Sequence, residues 1–139
     1  MKKSKLVIDY EFDFGLWGVT SAVRGYKLAW EINQHRGVHL VKQPDLVVGF
    51  RNNVEKSFSF YAYRTPLNRL KLFKNRPADQ DSGKYFLIPE FPHYDFIILA
   101  AMEEDNTREF ADQVRTIPAV ELVASIPLEG LKSKANFIF

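Results

Sequence analysis

The sequence predicts an α+β domain, in which two helices pack on one mainly antiparallel sheet as a ferredoxin-like sandwich with an extra hairpin. Three observations lead there. Apolar residues recur at every second position in several short segments, but at helical spacing in only two. Those two segments are held apart by a run of strand-like pieces, giving the order β-α-β-β-β-β-β-α-β and an apolar tail. The stretch Tyr94 to Met102 is almost continuously apolar, as a central strand covered on both faces must be. No linker divides the 139 residues, so a single domain is expected.

Leu6, Ile8, Tyr10, Phe12 and Phe14 alternate with Val7, Asp9, Glu11 and Asp13, which predicts a first strand with one apolar and one acidic face. Gly15 and Gly18 read as the break after it, and Thr20 or Ser21 as the cap of a helix. Val19, Ala22, Val23, Tyr26, Ala29, Trp30 and Asn33 keep helical spacing, with Gly37 as terminator. Val38 to Val41 and Leu46 to Phe50 are short extended pieces around Pro44, and Arg51-Asn52-Asn53 is a turn. Phe58, Phe60 and Ala62 alternate with Ser59, Tyr61 and Tyr63 as one strand, and Leu67 to Phe73 is its hairpin partner. Residues 75–83 form the clearest loop. Lys84 to Ile88 and Tyr94 to Met102 are strands on either side of a Pro89–Pro92 corner. Asp105 or Thr107 caps the second helix, whose inner stripe is Phe110, Ala111, Val114 and Ile117. Pro118 stops it, and Ala119 to Ile126 is the last strand.

The composition excludes several function classes. A hydrophobic fraction of 46% with 12 Phe, 6 Tyr and 2 Trp supports a real core rather than disorder. The formal charge of +2 gives no evidence of the concentrated basic face that nucleic-acid binding needs. Without cysteine there is no disulfide, thiolate zinc site or cysteine nucleophile. The start Met1-Lys2-Lys3-Ser4-Lys5 is basic, but Asp9, Glu11 and Asp13 rule out a signal h-region, and no apolar run reaches the roughly 18 residues of a membrane span. A cytoplasmic protein, without membrane contact, is the expectation.

The segment Ile88-Pro89-Glu90-Phe91-Pro92-His93-Tyr94-Asp95-Phe96 resembles the signature of the IPExxVDY family, small bacterial proteins without an assigned biochemical role. Gly25 to Asn33 resembles that family's first-helix motif, and Leu131 to Phe139 its C-terminus. One departure is visible: three residues rather than two separate Glu90 from the Tyr94-Asp95 pair, so the corner is one residue longer. The resemblance implies a bacterial cytosolic protein and brings no catalytic residue, cofactor or metal with it.

Five constellations carry candidate chemistry. Glu90 and His93 at the corner pair a carboxylate with an imidazole, the elements of acid–base chemistry or of a small-molecule site; the simpler reading has Glu90 satisfying backbone N–H groups in the bend. Arg64, Arg69, Lys71, Lys74 and Arg76 cluster around the hairpin with Tyr61, Tyr63 and Phe73 interleaved, which fits stacked single-stranded RNA or a charged, aggregation-resistant sheet edge. Asp9, Glu11 and Asp13 share a strand face, but their Cβ atoms are roughly 7 Å apart, too far to chelate one cation without a closing loop. His35 and His39 have zinc-ligand spacing, yet Gly37 ends the helix between them and no third ligand is near. Gly15-Leu16-Trp17-Gly18 stands where a phosphate loop would stand but lacks the rest of the fingerprint. Phe137, Ile138 and Phe139 must dock, either on the domain's own sheet or across a homodimer interface. No nucleophile constellation is present. The sequence thus reads as a non-catalytic interaction or regulatory module, working with a protein partner or a second copy.

Overall fold

The computed structural model describes residues 14–36, 38–78, 85–102 and 104–138. The acidic row Asp9, Glu11 and Asp13, the terminator Gly37, Lys84 and the last residue Phe139 lie outside the described residues, as do the end of the predicted loop and the side chains of His35 and Asp105. The elements are β1 (Gly15–Ser21), α1 (Gly25–Arg36), β2 (Val41–Lys42), β3 (Leu46–Phe50), β4 (Val54–Phe58), β5 (Phe60–Arg64), β6 (Arg69–Lys74), β7 (Phe96–Ala101), α2 (Glu104–Arg115) and β8 (Val120–Ile126), followed by a 3₁₀ turn over Lys132–Phe137.

Among the described residues, six strands form the main sheet in the order β2-β5-β6-β7-β1-β8, and β3 and β4 form a separate hairpin. Every neighbouring pair is antiparallel. Because β7 and β8 are both antiparallel to β1, they run parallel to each other with β1 between them. By the same logic β1 and β6 flank β7. That interleaving of two βαβ units is the ferredoxin-like arrangement, β8-β1-β7-β6. The strands β5 and β2 extend it on the β6 side, and the β3–β4 hairpin is the addition. The domain is α+β.

β7 is central, and all but its last residue are buried. Its side chains alternate between two cores. Phe96, Ile98 and Ala100 face α1 and α2, where Leu28, Ile32, Phe110, Val114 and Ile117 meet Val19, Leu70 and Leu72. Ile97 and Leu99 face the opposite way, toward Phe58, Phe60, Phe73, Leu87, Ile88 and Phe137. Both sheet faces are therefore sealed, but only one of them by helices.

Five predicted features are corrected. Gly15 and Gly18 do not lead straight into a helix: Gly15 opens β1, Gly18 lies inside it, and the helix begins only at Gly25, while the predicted strand before Gly15 falls almost wholly outside the described residues. The reason at Gly18 is close approach: a Cβ there would sit 2.2 Å from a Tyr94 ring carbon. Glycine in a strand marks such contacts as well as turns. Ser21 ends β1 rather than capping α1, and its hydroxyl donates to the Ala119 carbonyl at 2.7 Å. The single strand predicted around Ser59 is two strands, because the chain leaves the β3–β4 hairpin at Phe58 and enters the main sheet at Phe60. Residues 85–88 form no strand. Leu87 and Ile88 are consecutive and both fully buried, which a strand with alternating faces does not allow on a one-sided cover. Thr107 lies inside α2 rather than at its start.

The turn at Arg51-Asn52-Asn53 is present. Asn52 and Asn53 hold φ of 64° and 60°, the left-handed region that asparagine tolerates better than most residues.

Candidate functional site: a cationic cleft at the open end of the sheet

Residues of the corner are positioned by one buried side chain. Asn75, fully buried just after β6, donates from Nδ2 to the carbonyls of Phe91 (3.1 Å) and Tyr94 (2.9 Å). Its Oδ1 accepts from the Ile88 N–H at 2.8 Å. Its own backbone carbonyl accepts from Leu87 N–H, and its N–H donates to Asp95 O. One asparagine thus holds both ends of the Pro89–Pro92 bend. Nothing in its neighbourhood in the sequence distinguishes it from a loop residue.

Glu90 faces the C-terminal turn. Its Oε2 accepts from the backbone N–H groups of Lys132 (2.8 Å) and Ser133 (3.3 Å), and its Oε1 from the Ser133 hydroxyl (2.8 Å). Burial raises the proton affinity of this carboxyl, but the Ser133 hydroxyl and the N–H groups of Glu90, Ser133 and Lys132 outweigh it together and hold the pKa below the ordinary value. His93 goes elsewhere: its ring lies 4.3 Å from that of Tyr94 and 6.1 Å from that of Phe91. The two residues do not converge on a shared cavity, and Glu90 is a cap for the tail.

That tail is tied down further by Asn136, whose Nδ2 donates to the Leu87 carbonyl at 3.1 Å. Phe137 is 3% exposed and meets Phe73 edge-on, with ring centroids 5.1 Å apart. It belongs to the domain's own core. Ile138 is the exposed apolar residue of the turn, at 43%.

The hairpin residues separate by face. In the β5–β6 ladder, Arg64 pairs with Arg69, Ala62 with Lys71, and Phe60 with Phe73. All six share the face turned away from the helices. Tyr61 and Tyr63 alternate with them and so project to the other face, where both pack against the helix-side core. Burial raises the Tyr61 pKa, partly offset by Lys42. The pleat thus turns the Tyr61 and Tyr63 rings toward the helix-side core and buries Phe73 beneath the cation face, with Tyr63 also at the border of the cleft between them.

What the pleat does bring together is an open cleft of about 480 Å3 whose lining includes His39, Val41, Ala62, Arg64, Arg69 and Lys71. Burial, followed by Arg69 and Arg64, lowers the Lys71 pKa. Three cations converge because β5 and β6 present their positive residues at cross-strand and next-nearest positions of one face. Val41, on the short edge strand β2, adds an exposed apolar group beside them. His39 lines this cleft at a point beyond α1, so it no longer shares a helix with His35. The period-2 pattern of Arg69 and Lys71 could have placed these charges on one face from sequence; the contribution of β2 could not.

Among the described residues, no group of three His, Cys, Asp or Glu is placed to hold a metal, and no helix is long and apolar enough to cross a membrane. No protein-family model matches the chain, and no curated protein matches its sequence.

Proposed function

We propose that this chain is a non-catalytic cytoplasmic interaction module that takes an acidic segment of a protein partner into the cationic cleft of β2, β5 and β6. The observation that carries the reading is the placement of Arg64, Arg69 and Lys71 on one sheet face around that cleft. Guanidinium groups pair bidentately with carboxylates, and the exposed Val41 and Leu67 (81% exposed) give apolar side chains of the partner a place to rest. A single-stranded RNA would need its bases stacked on exposed rings, and those of Tyr61 and Tyr63 pack against the helix-side core, with Tyr63 alone also lining the cleft. A catalytic corner would need a free carboxylate, whereas that of Glu90 is occupied by the tail. Kinship with the IPExxVDY family forms part of this reading. It rests on the corner, first-helix and tail motifs, two of which are hydrogen-bonded to each other here.

Fluorescence anisotropy tests it, using a labelled peptide of alternating Glu and Leu beside an oligouridine of equal charge at low and high salt. Saturable peptide binding that weakens at least about tenfold in the Arg69→Glu, Lys71→Glu double variant is the expected result. No binding, or equal binding by the double variant, overturns the proposal. Tighter binding of the oligouridine replaces it with the RNA reading.

A further inference from the structure

A second cleft lies at the opposite side of the sheet and shares no residue with the first. Its origin is a local shortage of side-chain volume. Gly15 and Ala100 pair directly across β1 and β7, on the face covered by α2. Ala111 stands in the inner stripe of that helix, so three of the smallest side chains meet where larger ones would close the core. The gap is an open cleft of about 440 Å3. The Trp17 indole lies across Gly15, whose Cβ, if present, would come 2.7 Å from its ring carbons. One wall is thus an aromatic plane that only glycine permits.

The rim is cationic. Arg108 and Arg115, seven residues apart on α2, stand on one stripe of the helix two turns from each other and both line the cleft. Arg115 is held in place, donating from Nε to the Val123 carbonyl at 3.3 Å and from Nη1 to Asp112. An apolar floor with a few charged groups at its edge is the usual form of a small-molecule site.

We propose that this cleft binds a small amphipathic organic anion, with its aromatic or branched apolar body against the Trp17 indole and its acidic group between Arg108 and Arg115. The size of the cavity agrees with that class, since it lies in the range that takes single small ligands. Gly15, Ala100 and Ala111 give the body its room, and the arginines select for negative charge. The module would then hold two separate ligands, a protein segment at one end and a small effector at the other.

Trp17 itself reports the test. Trp30 is 52% exposed on α1, so a Trp30→Phe background leaves Trp17 as the sole tryptophan emitter. Anilinonaphthalene sulfonate serves as the aromatic anion and N-phenylnaphthylamine as its uncharged counterpart. Saturable, one-to-one quenching of Trp17 is expected, with the sulfonate bound about tenfold more tightly than the amine. Arg108→Gln should remove that preference. Ala111→Leu should abolish binding of both probes while cooperative unfolding is retained. If the Ala111→Leu protein folds and binds like its parent, or if the uncharged probe binds as tightly as the sulfonate, the site is refuted. Should Ala111→Leu fail to fold, the exposed Arg108→Gln change decides alone: an unchanged preference refutes the proposal.

Discussion

The face of the sheet toward α1 and α2 is covered by elements that satisfy their own backbone, while the other face is covered by chain that does not. A helix lays down a hydrophobic stripe with its internal N–H and C=O groups already paired. The corner of residues 85–94 and the 3₁₀ turn of Lys132–Phe137 have only short i→i+3 bonds and no α-helical ladder. Their buried polar groups need partners from side chains, since an unpaired one costs about 1–3 kcal/mol. Asn75 and Asn136 supply them, and Glu90 ties the tail down at the surface. The cores differ in kind as well. The helix side is largely aliphatic, with Phe96 and Phe110 as its fully buried rings, whereas the irregular side buries Phe58, Phe60, Phe73 and Phe137. Phe60 and Phe73 stack at 5.0 Å, and Phe73 meets Phe137 edge-on. Large rigid rings fill the uneven space that loops leave, and the difference teaches that the cost of an irregular cover is a small set of irreplaceable polar residues.

The largest test of this contrast is Asn75→Ala. It strands the Ile88 N–H and the Tyr94 carbonyl in the interior, so a loss of roughly 4 kcal/mol is expected. Ile32→Val on the helix face should cost only about 1 kcal/mol. Urea titrations of the two variants settle the point: if Asn75→Ala costs no more than Ile32→Val, the irregular face is not held by polar groups. Gly18→Ala comes next. Its methyl group would drive into the Tyr94 ring, a fully committed contact at the hinge between β1 and the corner, and a loss of about 2 kcal/mol follows from overpacking. Pairing it with Tyr94→Leu should return part of that loss; additive costs in the double variant would mean that the ring is not the obstacle.

Glu90→Gln is the smallest of the three, with a loss of about 1 kcal/mol at neutral pH, like that of a helix cap. Its value lies in the pH dependence. The folded protein holds the Glu90 pKa below its ordinary value, so the carboxylate stabilises the fold above the unfolded pKa of about 4.3. That contribution is lost as pH falls from there through the lower folded value. Stability of the parent should therefore decline more steeply than that of Glu90→Gln on the acid side of about pH 4. Parallel acid limbs for the two proteins would show that the tail cap carries no linkage.

Much of the architecture was legible because it follows from periodicity. The unbroken apolar run ending at Ala101 marked the central strand, the stripe Phe110, Ala111, Val114 and Ile117 marked α2, and the hairpin through β5 and β6 was evident from alternation. The failures share a cause: they depend on partners far away in the sequence. Gly18 looks like a turn until Tyr94 is known to lie on it. Ser59 looks like mid-strand because the alternation continues through it, although the chain changes sheets there. Asn75 looks like the first residue of a loop because its three side-chain bonds go to residues 13 to 19 positions onward. The same limit applies to the site. Strand alternation implied that Arg69 and Lys71 share a face, but the turning of Tyr61 and Tyr63 to the other face depends on the β5–β6 register, and the cleft also needs β2, a strand of two residues.

The position of β1 has a kinetic consequence. Among the described residues it is the earliest strand of the sheet and lies between the last two, so that Gly18 pairs with Ile97 on one side and with Ala124, more than a hundred residues downstream, on the other. Helix α1 and the β5–β6 hairpin close short loops and can form early. The centre of the sheet cannot close until the chain has been searched over nearly its whole described length. Proteins dominated by such distant pairings fold on a scale of milliseconds to seconds rather than microseconds, and until β8 arrives, one edge of β1 is open to pairing with another molecule. The window for misassembly is set by the wait for a single strand.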